Sequence, residues 1–125
     1  MIFRREEDYT IFKQAGWTPQ LDALLAPGPT LRMVSVDHDG VSVICPVSTA
    51  LETGGGGIWT AFELEGPLDF ALTGVLASVL QPLGTAEIPI LAVSTHDTDY
   101  VLVPRDRADE ASDVLVAEGH RIAPR

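Results

Sequence analysis

Cysteine, long apolar runs and positive charge are scarce in this chain, and each scarcity excludes a class of protein. The single cysteine, Cys45, rules out an intrachain disulfide framework and fits a reducing compartment. No stretch of the sequence approaches the roughly 20 apolar residues of a transmembrane helix. The first residues also lack the apolar run of a signal peptide. We therefore expect a cytoplasmic protein.

Basic residues are outnumbered by acidic ones. The 125 residues include 8 lysines and arginines against 18 aspartates and glutamates, so the formal net charge is −10. Nucleic acids and anionic membrane surfaces repel such a chain, and neither is an expected partner. The hydrophobic content of 46% is ample for a packed core. The length fits one domain, or two very small units that share a core.

The clearest break in the chain is the run of four glycines at residues 54–57, which disfavours regular structure. A phosphate-binding loop would need a following lysine, a serine or threonine and a helix, whereas this run enters a strand. We therefore predict a reduced N-terminal half, a glycine-rich linker and a C-terminal domain, at residues 1–48, 49–57 and 58–123.

The second half of the sequence predicts an α+β fold with the element order β-α-β-β-α-β. Residues 58–65 alternate as a strand does. Asp69 is a good N-cap for a helix that runs to about Leu83, with Gly84 just past its end. Two apolar strands, a second helix and a short edge strand are predicted at residues 88–93, 100–103, 106–118 and 120–122. This order is the ferredoxin-like unit, an antiparallel sheet with helices on one side.

The first half is less regular and predicts a reduced companion to this unit. Thr18 and Pro19 form a strong helix start. Two hairpins are predicted, the second around a turn of residues 37–40. Their four strands fall at residues 1–5, 9–13, 31–36 and 41–45. Two strands of the second half are apolar on both faces, which predicts that the first half or a second copy of the chain covers the sheet.

The polar turn of residues 94–99 is predicted to lie beside the start of the first helix of the second half. In a ferredoxin-like unit, the first two strands end at the edge where the third strand and this helix begin. The corner would then gather Glu65, Asp69, His96, Asp97 and Asp99. A helix start presents N–H groups without partners and attracts a carboxylate. Because the acidic groups suit an ammonium group, we expect a site for a small zwitterion.

Three further residues contribute to the predicted corner. Ser94 and Thr95 add hydroxyls and backbone carbonyls. Gly74 falls inside the predicted helix, where glycine costs about 1 kcal/mol relative to alanine, so it needs a packing or functional reason. Either a ligand or another backbone is expected to approach it closely, across the small residues at positions 71, 74 and 78.

Four segments of the second half resemble the ACT domain family of regulatory amino-acid-binding modules, at residues 59–61, 65–70, 73–78 and 94–100. The chain is especially similar to small bacterial proteins of two ACT-like units and to the ACT units of CASTOR-type arginine sensors. The similarity covers residues 58–122 and, more loosely, residues 1–46. It implies a regulatory sensor of a small molecule, without catalysis or cofactor, whose ligand lies between two ACT units.

The resemblance also implies which residues line the pocket. The matching positions are Asp69, Leu72 and Gly74 on the helix, Thr95, His96 and Asp99 on the turn, and Ser42 and Val43 on a strand from the partner unit. Leu72 stands where an arginine sensor has an acidic residue, which argues against arginine as the ligand. A homodimer is the expected assembly.

Other chemistry finds less support in the sequence. An interaction module that keeps the ACT fold without a ligand is the alternative function. A metal site at residues 37–39, or at His96, Asp97 and Asp99, lacks the fixed cysteine and histidine spacing of transition-metal sites. Cys45 lies in an apolar strand and is interpreted as a buried small hydrophobe. No serine has a predictable histidine and aspartate partner, so an enzyme is not expected.

Overall fold

The computed structural model describes residues 1–50 and 56–125. Part of the predicted glycine linker, residues 51–55, lies outside the described residues. The elements are β1 (Ile2–Gln14), α1 (Pro19–Leu24), β2 (Met33–Asp37), β3 (Gly40–Pro46), β4 (Trp59–Leu64), α2 (Val75–Thr85), β5 (Leu91–Ser94), β6 (Asp99–Pro104), α3 (Ala108–Ala117) and β7 (Ile122–Pro124). None of the helices in this part of the chain is both long and apolar enough to cross a bilayer.

The described residues form two compact units. The larger unit comprises Met1–Glu6 and Trp59–Arg125, and the smaller unit comprises Glu7–Ile58. The domain limits given above, residues 1–48, 49–57 and 58–123, stay a prediction. Each unit has its own cluster of buried side chains.

The larger unit has the predicted ferredoxin-like architecture. Its strand order is β1-β4-β6-β5, with β4 and β5 both antiparallel to β6. The start of β1 lies between β4 and β7, and β7 pairs with it in parallel. Helices α2 and α3 cover one side of the sheet. The core between sheet and helices includes Phe62, Val79, Leu83, Val101 and Leu115, all 1% exposed or less.

The predicted start of α2 at Asp69 is wrong, because the segment before the helix closes on itself. The Asp69 carboxylate accepts a hydrogen bond from the Ala71 N–H at 2.8 Å, and the Asp69 carbonyl accepts one from the Leu72 N–H at 3.0 Å. Such local bonds to a side chain compete with a helix. Gly74 then adopts the left-handed conformation, with φ of 79°, and is the N-cap of α2. Helix α2 begins only at Val75.

The end of α2 and the start of β5 also differ from the prediction. The helix continues to Thr85, so Gly84 lies inside it. The Ile88 N–H donates to the Leu83 carbonyl at 3.0 Å and still closes the helix end. Pro89 has no N–H to offer a strand ladder. The strand predicted at residues 88–93 therefore forms only as Leu91–Ser94.

Strands β5 and β6 differ in how far their residues are exposed to solvent. Strand β6 is fully buried at Val101, Leu102 and Val103, as expected for a strand that is apolar on both faces. Strand β5 lies at the edge of the sheet and leaves Ala92 and Ser94 exposed. The last helix and strand are displaced slightly from their predicted positions, to Ala108–Ala117 and Ile122–Pro124.

The described residues of the smaller unit form three strands instead of the predicted four. The hairpin predicted from residues 1–5 and 9–13 is wrong, because β1 is one continuous strand of 13 residues. Residues 6–8 are two glutamates and an aspartate, without the glycine or asparagine that tight hairpin turns require. The predicted helix start at Thr18 and Pro19 is confirmed. The second hairpin is also confirmed, with β2 antiparallel to β3 and Asp37 opposite Gly40.

Position 56 of the glycine run has no room for a side chain. A Cβ at Gly56 would lie 1.8 Å from the carbonyl oxygen of Ile11 on β1. The adjacent Gly57 carbonyl accepts a hydrogen bond from the Thr10 hydroxyl at 2.8 Å. Within the described residues of the run, glycine at position 56 thus permits the close approach of two backbones.

Candidate functional site

A depression of about 260 Å³ opens in the larger unit, where the start of α2 meets the turn between β5 and β6. Seven of the nine predicted site residues line it: Asp69, Leu72, Gly74, Ser94, Thr95, His96 and Asp99. Asp97, which was predicted in the same corner, also lines it, together with residues that were not predicted there: Leu68, Phe70, Val75, Leu76, Ala77 and Thr98. The predicted meeting of helix start and turn is therefore found in the structure.

The other two predicted site residues belong to the smaller unit, on β3. Val43 is fully buried in that unit's core, and Ser42 is half-buried. Both positions pair on two sides, with β1 and with β2. Of the two, only Ser42 has a side chain with some exposure to solvent.

Thr95 and Thr98 fix the shape of the turn. The Thr95 hydroxyl oxygen accepts hydrogen bonds from the N–H groups of Asp97 and Thr98, both at 3.2 Å. The Thr98 hydroxyl donates to the buried Leu64 carbonyl at 2.6 Å. With its backbone held in this way, the turn leaves the side chains of His96 and Asp97 largely exposed, at 84% and 73%.

The loop before α2 is attached to this turn. The Leu68 N–H donates to the Asp97 carbonyl at 2.6 Å. A Cβ at Gly66 would lie 3.0 Å from the same carbonyl and 3.1 Å from the Cβ of Thr98. Glycine at position 66 therefore lets loop and turn approach closely. Glu65, the fifth acidic or histidine residue of the predicted corner, does not line the depression; it lies in a neighbouring one with Asp97 and Thr98.

The start of α2 supplies N–H groups to the depression. Its N-cap, Gly74, has no side chain, and α2 has no side-chain cap. The first N–H groups of a helix lack intrahelical partners and carry a partial positive charge. Here those groups belong to Val75, Leu76 and Ala77, which all line the depression.

Of the two explanations expected for Gly74, the close approach of another backbone is wrong, and the approach of a ligand stays a prediction. No atom lies within 4 Å of the position that a Cβ at Gly74 would take, so no backbone approaches it. The glycine is required by its φ of 79° instead, a conformation that other residues adopt at a cost. Ala71 lies outside the helix, so the expected helical face of small residues does not exist.

The charged groups of the depression are acidic. Asp99 accepts a hydrogen bond from the Ser94 hydroxyl at 2.5 Å, and Asp97 lies 3.1 Å from Nδ1 of His96. Asp69 accepts the bond from Ala71 described above. Among the described residues that line the depression there is no lysine or arginine. The site therefore offers carboxylates and helix N–H groups, the complements of an ammonium and a carboxylate.

Two large apolar side chains of the loop are exposed beside these polar groups. Phe70 is 79% exposed and Leu72 is 55% exposed. The Phe70 ring contacts the His96 ring edge to face, with centroids 5.1 Å apart and an interplanar angle of 81°. The signal that could have identified Phe70 is an aromatic residue within a short loop of turn-forming residues.

A second polar turn holds the residues considered for a metal. Ligand atoms of Asp37, His38 and Asp39 lie within 4.8 Å of one another, and all three residues are exposed. The Asp37 carboxylate accepts a hydrogen bond from the Asp39 N–H at 2.8 Å, as expected of a hairpin turn. Within the described ranges, His96, Asp97 and Asp99 do not form such a group.

Cys45 is fully buried, and burial raises the pKa of its thiol.

The fold and the depression define a small α+β domain of ferredoxin-like architecture, and the comparisons with known proteins name its family. Residues 56–117 match the ACT domain family. This chain therefore belongs to the ACT domain family, as its sequence segments predict.

Proteins of known sequence and structure agree with this assignment. The human protein named cytosolic arginine sensor for mTORC1 subunit 1 is 32% identical over 110 residues, which cover 78% of this chain and 33% of that protein. The chain spans between 22% and 33% of the length of the curated relatives it matches.

Two crystal structures share the fold over nearly the whole chain. A protein from Agobacterium tumefaciens is 26% identical with a TM-score of 0.82, covering 99% of this chain and 92% of that one. A Vibrio cholerae protein of unknown function is 14% identical with a TM-score of 0.75, covering 95% and 89%.

Proposed function

We propose that this protein is a regulatory protein that binds a free amino acid in the depression and has no catalytic activity of its own. One observation carries the proposal: the first residues of α2, which has no side-chain cap, line the same small depression as Asp97 and Asp99. An amino acid carries a carboxylate and an ammonium on one carbon, so it needs groups of both kinds close together.

The size of the depression supports a ligand of this kind. Pockets for drug-sized ligands measure roughly 300–1,000 Å³, whereas this one measures about 260 Å³. The human relative is named as a cytosolic arginine sensor, which supports amino-acid sensing in the cytoplasm. Because this chain spans only a third of that relative, its ligand and its regulated partner are argued from its own residues.

The roles of the residues follow from their groups. In this proposal the ligand carboxylate accepts hydrogen bonds from the N–H groups of Val75–Ala77, and Asp99 receives the ammonium, with Ser94 and Thr95 beside it. Asp69, Leu72, Gly74 and His96 complete the lining. Ser42 and Val43 stay proposed contributions of the partner ACT-like unit, and the burial of Val43 limits its contribution. A homodimer is the proposed assembly.

Titration calorimetry of the full chain against the twenty amino acids tests this function. We expect at least one of them to bind, and Asp99→Asn to weaken that binding at least tenfold, because it removes the charge that pairs with the ammonium. The matched control is Asp39→Asn, an exposed aspartate on the other polar turn. A bound ligand at 100 times its Kd should also stabilise the fold by about 2.7 kcal/mol.

Two results would contradict the proposal. One is the absence of any binding by any amino acid at millimolar concentration. The other is a turnover of substrate that is abolished by changing His96 or Asp97, since that would make the depression an active site.

A second candidate function is an interaction module without a ligand. The observation that favours it is the exposure of Phe70 and Leu72, since such large apolar side chains at a surface loop are often covered by a partner. Light scattering on the full chain distinguishes the two. A dimer that becomes a monomer in Phe70→Asp, and that no amino acid stabilises, supports the interaction module.

A further inference from the structure

One side of the depression is apolar, and the charged backbone groups of an amino acid ligand would not need it for binding. Phe70 and Leu72 belong to the large hydrophobic residues that remain exposed in the structure, at 79% and 55%. They lie two positions apart on one loop, and both line the depression. Leu68, Val75 and Leu76 add further apolar lining, and each of them packs in part on the core of the unit. This loop side of the depression therefore offers apolar surface that a ligand would remove from water.

The acidic groups of the depression already have partners within the chain. Asp97 and Asp99 lie on the turn between β5 and β6, where they have His96 and Ser94 as partners. Asp69 is the one carboxylate of the lining on the loop itself, and it accepts a hydrogen bond from that loop's own backbone. A basic side chain lying over Phe70 and Leu72 would therefore have to compete with these partners for any carboxylate of the lining. An acidic side chain would meet no lysine or arginine among the described residues of the lining.

The orientation of Phe70 is also defined. Its ring is held edge to face against His96, a geometry that aromatic pairs favour. A ring held in this way presents a fixed apolar surface to a ligand, which reduces the ordering that binding would otherwise require.

We infer that the ligand is an amino acid with a neutral, apolar side chain, which packs on Phe70 and Leu72 while its charged groups meet the helix start and the turn. This inference rests on the proposed function and narrows its ligand class. Leucine, isoleucine and phenylalanine belong to the class. Arginine, lysine and glutamate are excluded from it.

Calorimetric titration of the full chain with leucine, phenylalanine, arginine and glutamate tests the inference. We expect leucine or phenylalanine to bind at least about tenfold more tightly than either charged amino acid, since one methylene in an apolar pocket already changes affinity about tenfold or more. Leu72→Glu should weaken the apolar ligand about tenfold and strengthen arginine, because it places a carboxylate on the apolar side of the depression. The matched control is Val116→Glu on α3, which is also 55% exposed and lies outside the depression.

The outcomes separate this inference from the proposed function. Binding of arginine or glutamate more tightly than leucine and phenylalanine overturns the apolar class and leaves amino-acid binding intact. Binding of no amino acid at millimolar concentration overturns both. An unchanged preference in Leu72→Glu also overturns the inference. Phe70→Ala, at an exposed position, gives an independent measurement. It should lower the affinity for the apolar ligand about tenfold. An affinity equal to that of the unchanged chain would contradict the packing of the ligand side chain on Phe70.

Discussion

Two turns of this chain carry a histidine next to aspartates, and one of them lines the depression at the start of α2. The turn of residues 37–40 joins β2 and β3, and its Asp37, His38 and Asp39 are all exposed. The turn of residues 94–99 joins β5 and β6, and it is bonded to the loop before α2 through Leu68. The residue types are alike, and the elements packed against the turns are different. A polar turn becomes a candidate site through what the fold places beside it.

The two turns are also held in different ways, and the largest expected effect tests this difference. Gly40 ends the first turn with φ of 128°, and a Cβ there would lie 2.6 Å from the Gln14 carbonyl. We expect Gly40→Ala to lower the free energy of unfolding by about 3 kcal/mol, because it adds both backbone strain and a clash. Chemical denaturation measures the change.

Gly16→Ala is the control for this substitution, since a Cβ at Gly16 would have no neighbour within 4 Å. It should change the stability by no more than about 0.5 kcal/mol. Equal effects of the two substitutions would contradict the account of the first turn.

The second turn depends on side-chain oxygens, and Thr98→Val tests this dependence. The substitution keeps the volume but leaves the buried Leu64 carbonyl without its donor at 2.6 Å. We expect a loss of about 1–3 kcal/mol in the free energy of unfolding. Thr49→Val removes a similar bond to the Pro46 carbonyl that is only partly buried, so water can replace it more readily. An equal loss in the free energy of unfolding for Thr49→Val and Thr98→Val would contradict the claim that the buried hydrogen bond of Thr98 stabilises the turn.

The smallest expected effect is on the affinity for an amino acid, and it is compared between substitutions of the two histidines, His96 and His38. His96→Ala removes the edge-to-face partner of Phe70, and aromatic pairs contribute about 0.5–1.5 kcal/mol. We therefore expect it to weaken amino-acid binding by roughly three- to tenfold. His38→Ala should leave the affinity unchanged, and calorimetry under identical conditions measures both. A stronger effect of His38→Ala would reverse the comparison.

The larger unit was predictable from the sequence because its elements have clear periodic patterns. The alternation in residues 58–65 and the sequence of predicted strands and helices define a ferredoxin-like order. That order alone brings Asp69 and Asp99 to one edge of the sheet. The start of α2 was not predictable from the N-cap preference of Asp69. The side chain of Asp69 bonds locally to Ala71, and only the left-handed conformation of Gly74 fixes the true boundary.

Two further features required the tertiary structure. Strand β1 continues through the charged residues 6–8 because it pairs on either side of them, with β7 at Ile2–Arg4 and with β3 at Tyr9–Gln14, which overrides their low strand propensity. Phe70 follows Asp69 in a loop, and nothing in the spacing of the sequence indicates that its ring contacts His96 and lines the depression.

The central claim is that an amino acid binds between the start of α2 and the turn of residues 94–99. Backbone amide NMR of the full chain, titrated with leucine and with phenylalanine, tests it most directly. The account predicts saturable shifts of the amide resonances of Val75–Ala77 and of residues 94–99, while those of residues 37–40 stay in place. Shifts confined to other parts of the chain, or no shift at millimolar ligand, would contradict it.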